Sequence, residues 1–293
     1  MNPLFAIVAY IGRRLWRNLT FTLVAMSIMA IGVALATTMF SVVNGLVLSG
    51  VPYPEGDRLV HICTVNQKTG DSEDWLPVRY FEELRRRQRS FETLAAHDEL
   101  GSIILSGPEG PERLSLNKIS ANFLEALRVK PILGSGFLPG DDVFGAPPKV
   151  ILSHEIWSGR FGGDPGIIGR EIRADGKMTT VVAVMPPGFR FPNDENIWTP
   201  AKYNWGGSPG ETDNGWNWIL PFGRLNPGVS LETASREVDT LLAAMRRSDP
   251  IFDEDMGEFA PELVMRVTPF EDLFLSPELK RSTYVMLAAT SRI

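Results

Sequence analysis

The chain has 293 residues, with 29 basic and 35 acidic side chains and a formal net charge of −6. Residues 1–54 hold three arginines and no acid, so the rest of the chain carries −9. An acidic body with no basic stripe of interleaved aromatics argues against nucleic-acid binding, and a single cysteine, Cys63, excludes an internal disulfide.

Leu4, Phe5, Ile7, Val8, Ile11 and Leu15 form a mostly apolar N-terminal segment that ends in Arg13, Arg14, Trp16 and Arg17. That pattern suits a helix lying along the inner face of a membrane. Asn18 to Pro54 then carries no Asp, Glu, Lys, Arg or His. About 20 apolar residues suffice to cross a bilayer. Arginines at one end favour the cytoplasmic side, so the N-terminus is expected inside and the remainder outside. A cleaved signal peptide has an apolar region of only about 7–15 residues, and Ala34-Leu35-Ala36 lies in mid-run, so an uncleaved anchor is the favoured reading. The neighbours of Arg13-Arg14 fit a twin-arginine signal poorly. Within the run, Ala30 and Ala34, and Gly32 and Ala36, are spaced by four, as in helices that approach closely in lipid. A lone helix facing lipid carries small residues as well.

After the turn-rich exit Val51-Pro-Tyr-Pro-Glu-Gly-Asp57, Arg58 to Val65 reads as a strand. Pro77 to Arg89 reads as an amphipathic helix with Val78, Phe81, Leu84 and Gln88 on one face, and its arginine run as a solvated surface. Phe91 to Leu105 is extended, and Pro111 to Ile119 is an alternating strand. Ser120 is expected to cap a short helix with Phe123, Leu124 and Leu127. Gly134 to Pro148 is a long loop, Val150 to Leu152 a buried strand, and Ser153 the cap of a helix through Phe161. Ile167 to Ile172 and Met178 to Val184 flank Asp175-Gly176, a hairpin signal. Trp216 to Leu225 reads as a strand. Ser230 caps a helix through Met245 with Leu231, Ala234, Val238, Leu241 and Leu242 as its apolar stripe and Arg246-Arg247 at its end. Leu263 to Val267 is the last strand. Thr283 to Thr290 is apolar, follows Lys280-Arg281 and has the look of a second span that does not complete. The expected fold class is α+β, in two lobes.

No catalytic, cofactor-binding or metal-ligating set is read from the sequence. Gly206-Gly-Ser208-Pro-Gly210 matches the nucleophile pattern G-x-S-x-G, but Pro209 lacks the N–H that would build the oxyanion hole. His61, His97 and His154 are far apart and none belongs to H-E-x-x-H. Asp141-Asp142 lacks the spacing of a calcium loop and reads as a capped loop. No P-loop exists, and Gly134, Gly136 and Gly140 miss the dinucleotide fingerprint. Cys63 reads as a small core residue.

Several strings in order carry a family likeness: Phe21-Thr-Leu-Val-Ala25, Met39-Phe-Ser-Val-Val-Asn-Gly45, Pro52-Tyr-Pro54 with Asp57-Arg-Leu-Val60, Ser120-Ala-Asn-Phe123, Leu127-Arg-Val-Lys-Pro131 with Gly134, Leu152-Ser-His154, Trp157, Arg160-Phe-Gly-Gly-Asp-Pro-Gly166, Gly169, Asp175-Gly176, Val184-Met-Pro-Pro-Gly-Phe189, Phe191-Pro192, Arg224-Leu225 and Pro227-Gly-Val229. The chain resembles the permease subunits of MacB-like (FtsX-type) ABC transporters. The resemblance implies one N-terminal transmembrane helix and a two-lobed periplasmic core domain in a bacterial inner membrane. It also implies a homodimer working with a separate cytoplasmic ATPase, which moves the lobes to export a periplasmic substrate. The corresponding boundaries are 1–17 for a cytoplasmic amphipathic segment, 18–50 for the transmembrane helix, 51–282 for the periplasmic core and 283–293 for the start of a second span. The family continues with three further helices where this sequence ends, so the chain reads as a truncated permease. The basic residue frequent before Pro-Tyr-Pro is replaced by Ser49-Gly50-Val51. The residues expected to matter are Pro52, Tyr53, Pro54 and Arg58, as a force-transmitting stalk, and Gly32 and Ala36, as a helix-packing face. The alternative function is a stand-alone single-span sensor or scaffold that binds a ligand or protein partner. A membrane-anchored hydrolase is the weakest reading, for want of a catalytic set.

Overall fold

The computed structural model describes residues 19–43, 53–98, 101–107, 110–192, 194–202, 218–249 and 262–273. The expected segments 1–17 and 283–293, together with Pro52, lie outside the described residues. The chain separates into two compact units, one of residues 1–50 with 275–293 and one of Val51–Phe274.

In the first unit the described element is α1, Leu19–Val43, 25 residues without a charged side chain. Among the described residues no helix is long and apolar enough to cross a membrane. The described side chains of α1 fall in interrupted runs, chiefly 20–24 and 26–34, so the spanning role expected for this helix is argued below from its sequence.

The second unit is mixed α/β. Its strands are β1 (Leu59–Asn66), β2 (Ser72–Glu73), β3 (Leu76–Pro77), β4 (Phe91–His97), β5 (Gly101–Ser106), β6 (Glu112–Ile119), β7 (Leu133–Gly134), β8 (Lys149–Leu152), β9 (Glu171–Ala174), β10 (Lys177–Val184), β11 (Ile197–Pro200), β12 (Trp218–Leu225) and β13 (Leu263–Pro269). Its helices are α2 (Val78–Arg87), α3 (Phe123–Leu127), α4 (His154–Arg160) and α5 (Leu231–Ser248). The strand order is β11-β8-β10-β9-β5-β6-β4-β12-β1-β13, and β11 also pairs with β6. That extra pairing closes six strands, β5, β6 and β8 to β11, into a small barrel. Closure removes the exposed edges that would otherwise invite pairing with other chains. Ile103, Leu105, Leu114, Leu116, Val150, Leu152, Ile172, Val181 and Ile197 fill one apolar cluster from these strands.

The remaining strands, β4-β12-β1-β13, form an open antiparallel sheet. Side chains alternate between its faces. Val60, Ile62, Leu94, Ile219, Met265 and Val267 point to the face that meets α2 and α5. α2 buries Val78, Tyr80, Phe81 and Leu84, and α5 buries Ala234, Val238, Leu242 and Met245. The α2 arginines are a solvated face, as expected: Arg85 pairs with Glu82, and Arg86 and Arg87 with Glu83. Gln88 is the residue that ends α2, and its side-chain oxygen accepts from Phe91 N. Leu231, expected in the α5 stripe, is exposed, because the packed face begins a turn later at Ala234.

Local signals set several boundaries. Ser153 accepts from Ile156 N to start α4, and Ser230 from Thr233 N to start α5. Asp175 (φ 46°) and Gly176 (φ 75°) make the tight turn between β9 and β10. Ser120 does not cap α3. Its hydroxyl accepts from Ala96 N and donates to Asn122, and Asn122 takes the cap position. Gly134 (φ +78°) lies against β10 so closely that a Cβ there would be 2.0 Å from the Val182 carbonyl oxygen.

On the opposite face of the open sheet, His97 is buried among Phe123, Phe191 and Phe222, with ring centroids at 6.3, 5.7 and 6.2 Å. Burial pushes its imidazole down to about 4, against the modest upward pull of the Asp98 carbonyl.

Two measurements check this packing. Gly134→Ala combines a left-handed backbone with a backbone clash and is expected to cost more than about 2 kcal/mol of unfolding free energy in urea melts. An unfolded histidine takes its proton near pH 6.5, whereas folded His97 waits until about pH 4. Stability from this group is therefore complete above pH 6.5 and lost as pH falls towards 4, by on the order of 3 kcal/mol. His97→Gln should flatten that part of the stability profile.

Candidate functional site

The residues following the apolar run are fixed to the second unit by a compact set of charges. Tyr53 is half-buried and packs edge-on against Phe191, with centroids 6.0 Å apart. Burial raises its phenol above the ordinary tyrosine range. Pro54 is exposed. Glu55 adopts a left-handed backbone (φ 50°), which turns the chain into a short 3-10 helix, Gly56–Arg58. That turn delivers Arg58 to the start of β1.

Arg58 and Arg128 each bind both Glu55 and Glu92, so the four side chains close a ring. The Arg128 Nη2 to Glu92 Oε1 distance is 2.9 Å. Arg128 ends α3 with a left-handed backbone of its own (φ 56°), and Glu92 projects from β4. The ring thus joins the exit segment, β4 and the end of α3. The Arg58 guanidinium also donates to the Leu225 carbonyl, from Nε at 2.9 Å and Nη2 at 2.6 Å.

Beside the ring is Arg224, a β12 side chain only 1% exposed. Its Nη1 donates to the Glu55 carbonyl at 2.7 Å, and its Nε to the Ala126 carbonyl at 3.2 Å. Burial, and then the positive charges of Arg128 and Arg58, lower its pKa. The carboxyls respond in the opposite sense. Hydrogen bonding from Arg58 holds Glu55 below the usual carboxylate range, and hydrogen bonding from Arg128 does the same for Glu92. The arrangement is a joint that ties the exit segment to β4, β12 and the end of α3.

Of the residues singled out in the sequence, Tyr53, Pro54 and Arg58 come together here. Gly32 belongs to α1 and is exposed, with nothing within 4 Å of where a Cβ would be; Ala36 lies four residues on in the same helix. Sequence reasoning missed Glu55, Glu92, Arg128 and Arg224 as members of one site. Only Arg224 carried a signal, as a lone charge in an otherwise apolar strand. Asp141 and Asp142 behave as loop caps: Asp141 accepts from Leu138 N at 2.8 Å and pairs with Lys149 at 2.6 Å, and Asp142 accepts from Ala121 N at 3.0 Å.

Three solved structures are similar to this chain. A domain of a putative permease protein from Porphyromonas gingivalis is 20% identical, aligns over 74% of this chain and 93% of its own, and has a TM-score of 0.52. The extracellular domain of the noncanonic ABC-type transporter YknZ from Gram-positive bacteria is 14% identical over 72% and 99%, with a TM-score of 0.49. The periplasmic region of MacB from Actinobacillus actinomycetemcomitans is 14% identical over 75% and 91%, also at 0.49. No curated protein matches the chain. The fold is therefore that of the Porphyromonas permease domain. Residues 22–241 match the family described as the MacB-like periplasmic core domain, and the chain belongs to that family.

The joint makes a stability prediction. Arg224→Met leaves the Glu55 and Ala126 carbonyls without their donor and is expected to cost about 1–3 kcal/mol. Glu92→Gln breaks exposed pairs, so its effect should shrink as salt rises. Urea melts at low and high ionic strength separate the two.

Proposed function

We propose that this chain is a membrane-anchored subunit of an ABC-type export or mechanotransmission system, with α1 as the anchor and the second unit as its periplasmic working part. The observation that carries the reading is the continuity of the family match, which begins at residue 22 inside α1 and runs through the exit segment to residue 241 in α5. At 1.5 Å per residue α1 is about 37 Å long, against a hydrocarbon core of about 30 Å. Its lack of charge and the preceding Arg13, Arg14 and Arg17 support an N-terminus on the cytoplasmic side.

In this reading Pro52, Tyr53, Pro54 and Arg58 transmit force between helix and domain. The charge ring supports that role, since it ties the turn after the helix to two further elements. The two moving lobes correspond to the closed barrel and the helix-covered sheet. Gly32 and Ala36 are the packing face for a second copy of the helix, which the open space around Gly32 permits. A separate cytoplasmic ATPase supplies the energy, as the family resemblance implies.

A sensor or scaffold reading has one observation in its favour. A cleft of about 520 Å³, lined by Arg85, Asn122, Leu124, Glu125, Phe137 and Asp142 among others, falls in the size range of small-ligand sites. Ligand binding there without ATPase association would favour it.

Fractionation of bacteria expressing the full chain tests the anchoring. The protein is expected to stay with membranes through alkaline carbonate washing and to be cut by protease added outside spheroplasts. Recovery in the soluble cytosolic fraction overturns the reading. Mild oxidation of Gly32→Cys in membranes is expected to give a covalent dimer; its absence under conditions that crosslink a control position removes the packing role.

A further inference from the structure

His61 and Cys63 are two residues apart in β1 and therefore project from the same face of the sheet. This is the face turned away from α2 and α5. Both side chains are buried, at 4% exposure each. β2 folds back antiparallel along β1, pairing Glu73 with Thr64, and so delivers Asp74 to the same spot. The Asp74 carboxylate lies 3.1 Å from His61 Nε2. On the other side, β13 places Thr268 directly opposite His61, with its hydroxyl 3.0 Å from Nδ1 and 3.1 Å from Nε2. One nitrogen, one sulfur and one carboxylate oxygen lie within 4.8 Å of one another, and no other cluster of three such ligands is found among the described residues.

We propose that His61, Cys63 and Asp74 form a binding site for a divalent transition-metal ion, with Zn2+ as the best-matched occupant. The donor set decides the metal. Imidazole and thiolate together exclude Mg2+ and Ca2+, which take oxygen ligands, while a mixed N, S and O set suits Zn2+. With bond lengths of about 2.0–2.3 Å, tetrahedral zinc sets its ligand atoms roughly 3.3–3.6 Å apart. The His61–Asp74 separation is already close to that, and the sulfur needs about an ångström of side-chain adjustment. Asp74 is the partly exposed member, so it provides both the path from solvent and the freedom to adjust. Three protein ligands leave a fourth position for water. The Thr268 hydroxyl, within reach of both ring nitrogens, would steady the imidazole, as outer-shell partners of zinc histidines do.

The same three residue types also occur in nucleophilic triads. Here the thiol is buried under the sheet, where a bare ion can reach it and a substrate carbonyl cannot. Burial pulls the His61 imidazole down, but hydrogen bonding to Asp74 and Cys63 outweighs it and leaves the group at about 9. The site would pin the β1–β13 edge to the connection between β2 and β3.

The test uses the full chain purified in detergent and titrated with Co2+ and then Zn2+. Because Cys63 is the only cysteine, a thiolate-to-cobalt charge-transfer band reports this site alone. One equivalent of Co2+ should give the band and one equivalent of Zn2+ should abolish it. The band should be missing from Cys63→Ser. Asp74→Asn and His61→Gln should weaken Zn2+ binding by more than the roughly 10–100-fold typical of an outer-shell change, and Thr268→Val by about that much. No band on the unsubstituted chain at stoichiometric Co2+ overturns the proposal, whatever the variants do. So does a Zn2+ affinity that Asp74→Asn leaves unchanged.

Discussion

A buried arginine constrains the centre of the second unit. Arg224 lies in β12, which is paired on both sides and covered on both faces. A charge taken out of water is costly unless it is paired and hydrogen-bonded. Its Nη1 finds the Glu55 carbonyl and its Nε the Ala126 carbonyl. These two bonds require the left-handed turn at Glu55 and bring the end of α3 against the sheet, while Nη2 is buried without a hydrogen-bond partner. Arg58 and Arg128 then crowd the same region, and Glu55 and Glu92 balance their charge. The exit segment is thereby fixed in orientation by these polar contacts together with the packing of Tyr53 on Phe191.

The rest of the unit is divided between two solutions to the problem of sheet edges and faces. The barrel part closes on itself through the parallel β11–β6 pairing, and Ile156 and Trp157 of α4 pack against its apolar cluster. The open part leaves a face that α2 and α5 cover. β4 and β6 meet at the boundary through His97 and Ile119. His97, caged by phenylalanines at that boundary, couples the packing to pH because its only comfortable state there is neutral.

The charge joint and the His61, Cys63 and Asp74 cluster both tie separate elements of the sheet together. The joint is suited to holding one segment rigidly against three elements. The cluster is suited to gripping a small cation at an otherwise polar corner of the sheet. Both would serve the mechanical role proposed above, in which stiffness at the turn after α1 matters.

The sequence by itself determined features governed by neighbours a few residues apart. Ser153 and Ser230 start their helices, Asp175-Gly176 turns its hairpin, and the 3.6-residue repeat of Ala234, Val238 and Leu242 sets the buried side of α5. The absence of charge from Asn18 to Pro54 and the ordered family strings were legible for the same reason. What only the tertiary structure decided depends on residues distant in the chain. Ser120 lost its cap role because Ala96, on the neighbouring strand, supplied a better donor for its hydroxyl. Barrel closure joins β6 to β11 across a long stretch of chain, and nothing local marks that pairing. Glu55, Glu92 and Arg128 look like ordinary surface charges until the turn, the sheet and the helix end converge. Cys63 read as a core residue, and it is buried, but no spacing rule could place Asp74 beside it. That required β2 to fold back along β1, a contact selected by the packing of the whole sheet.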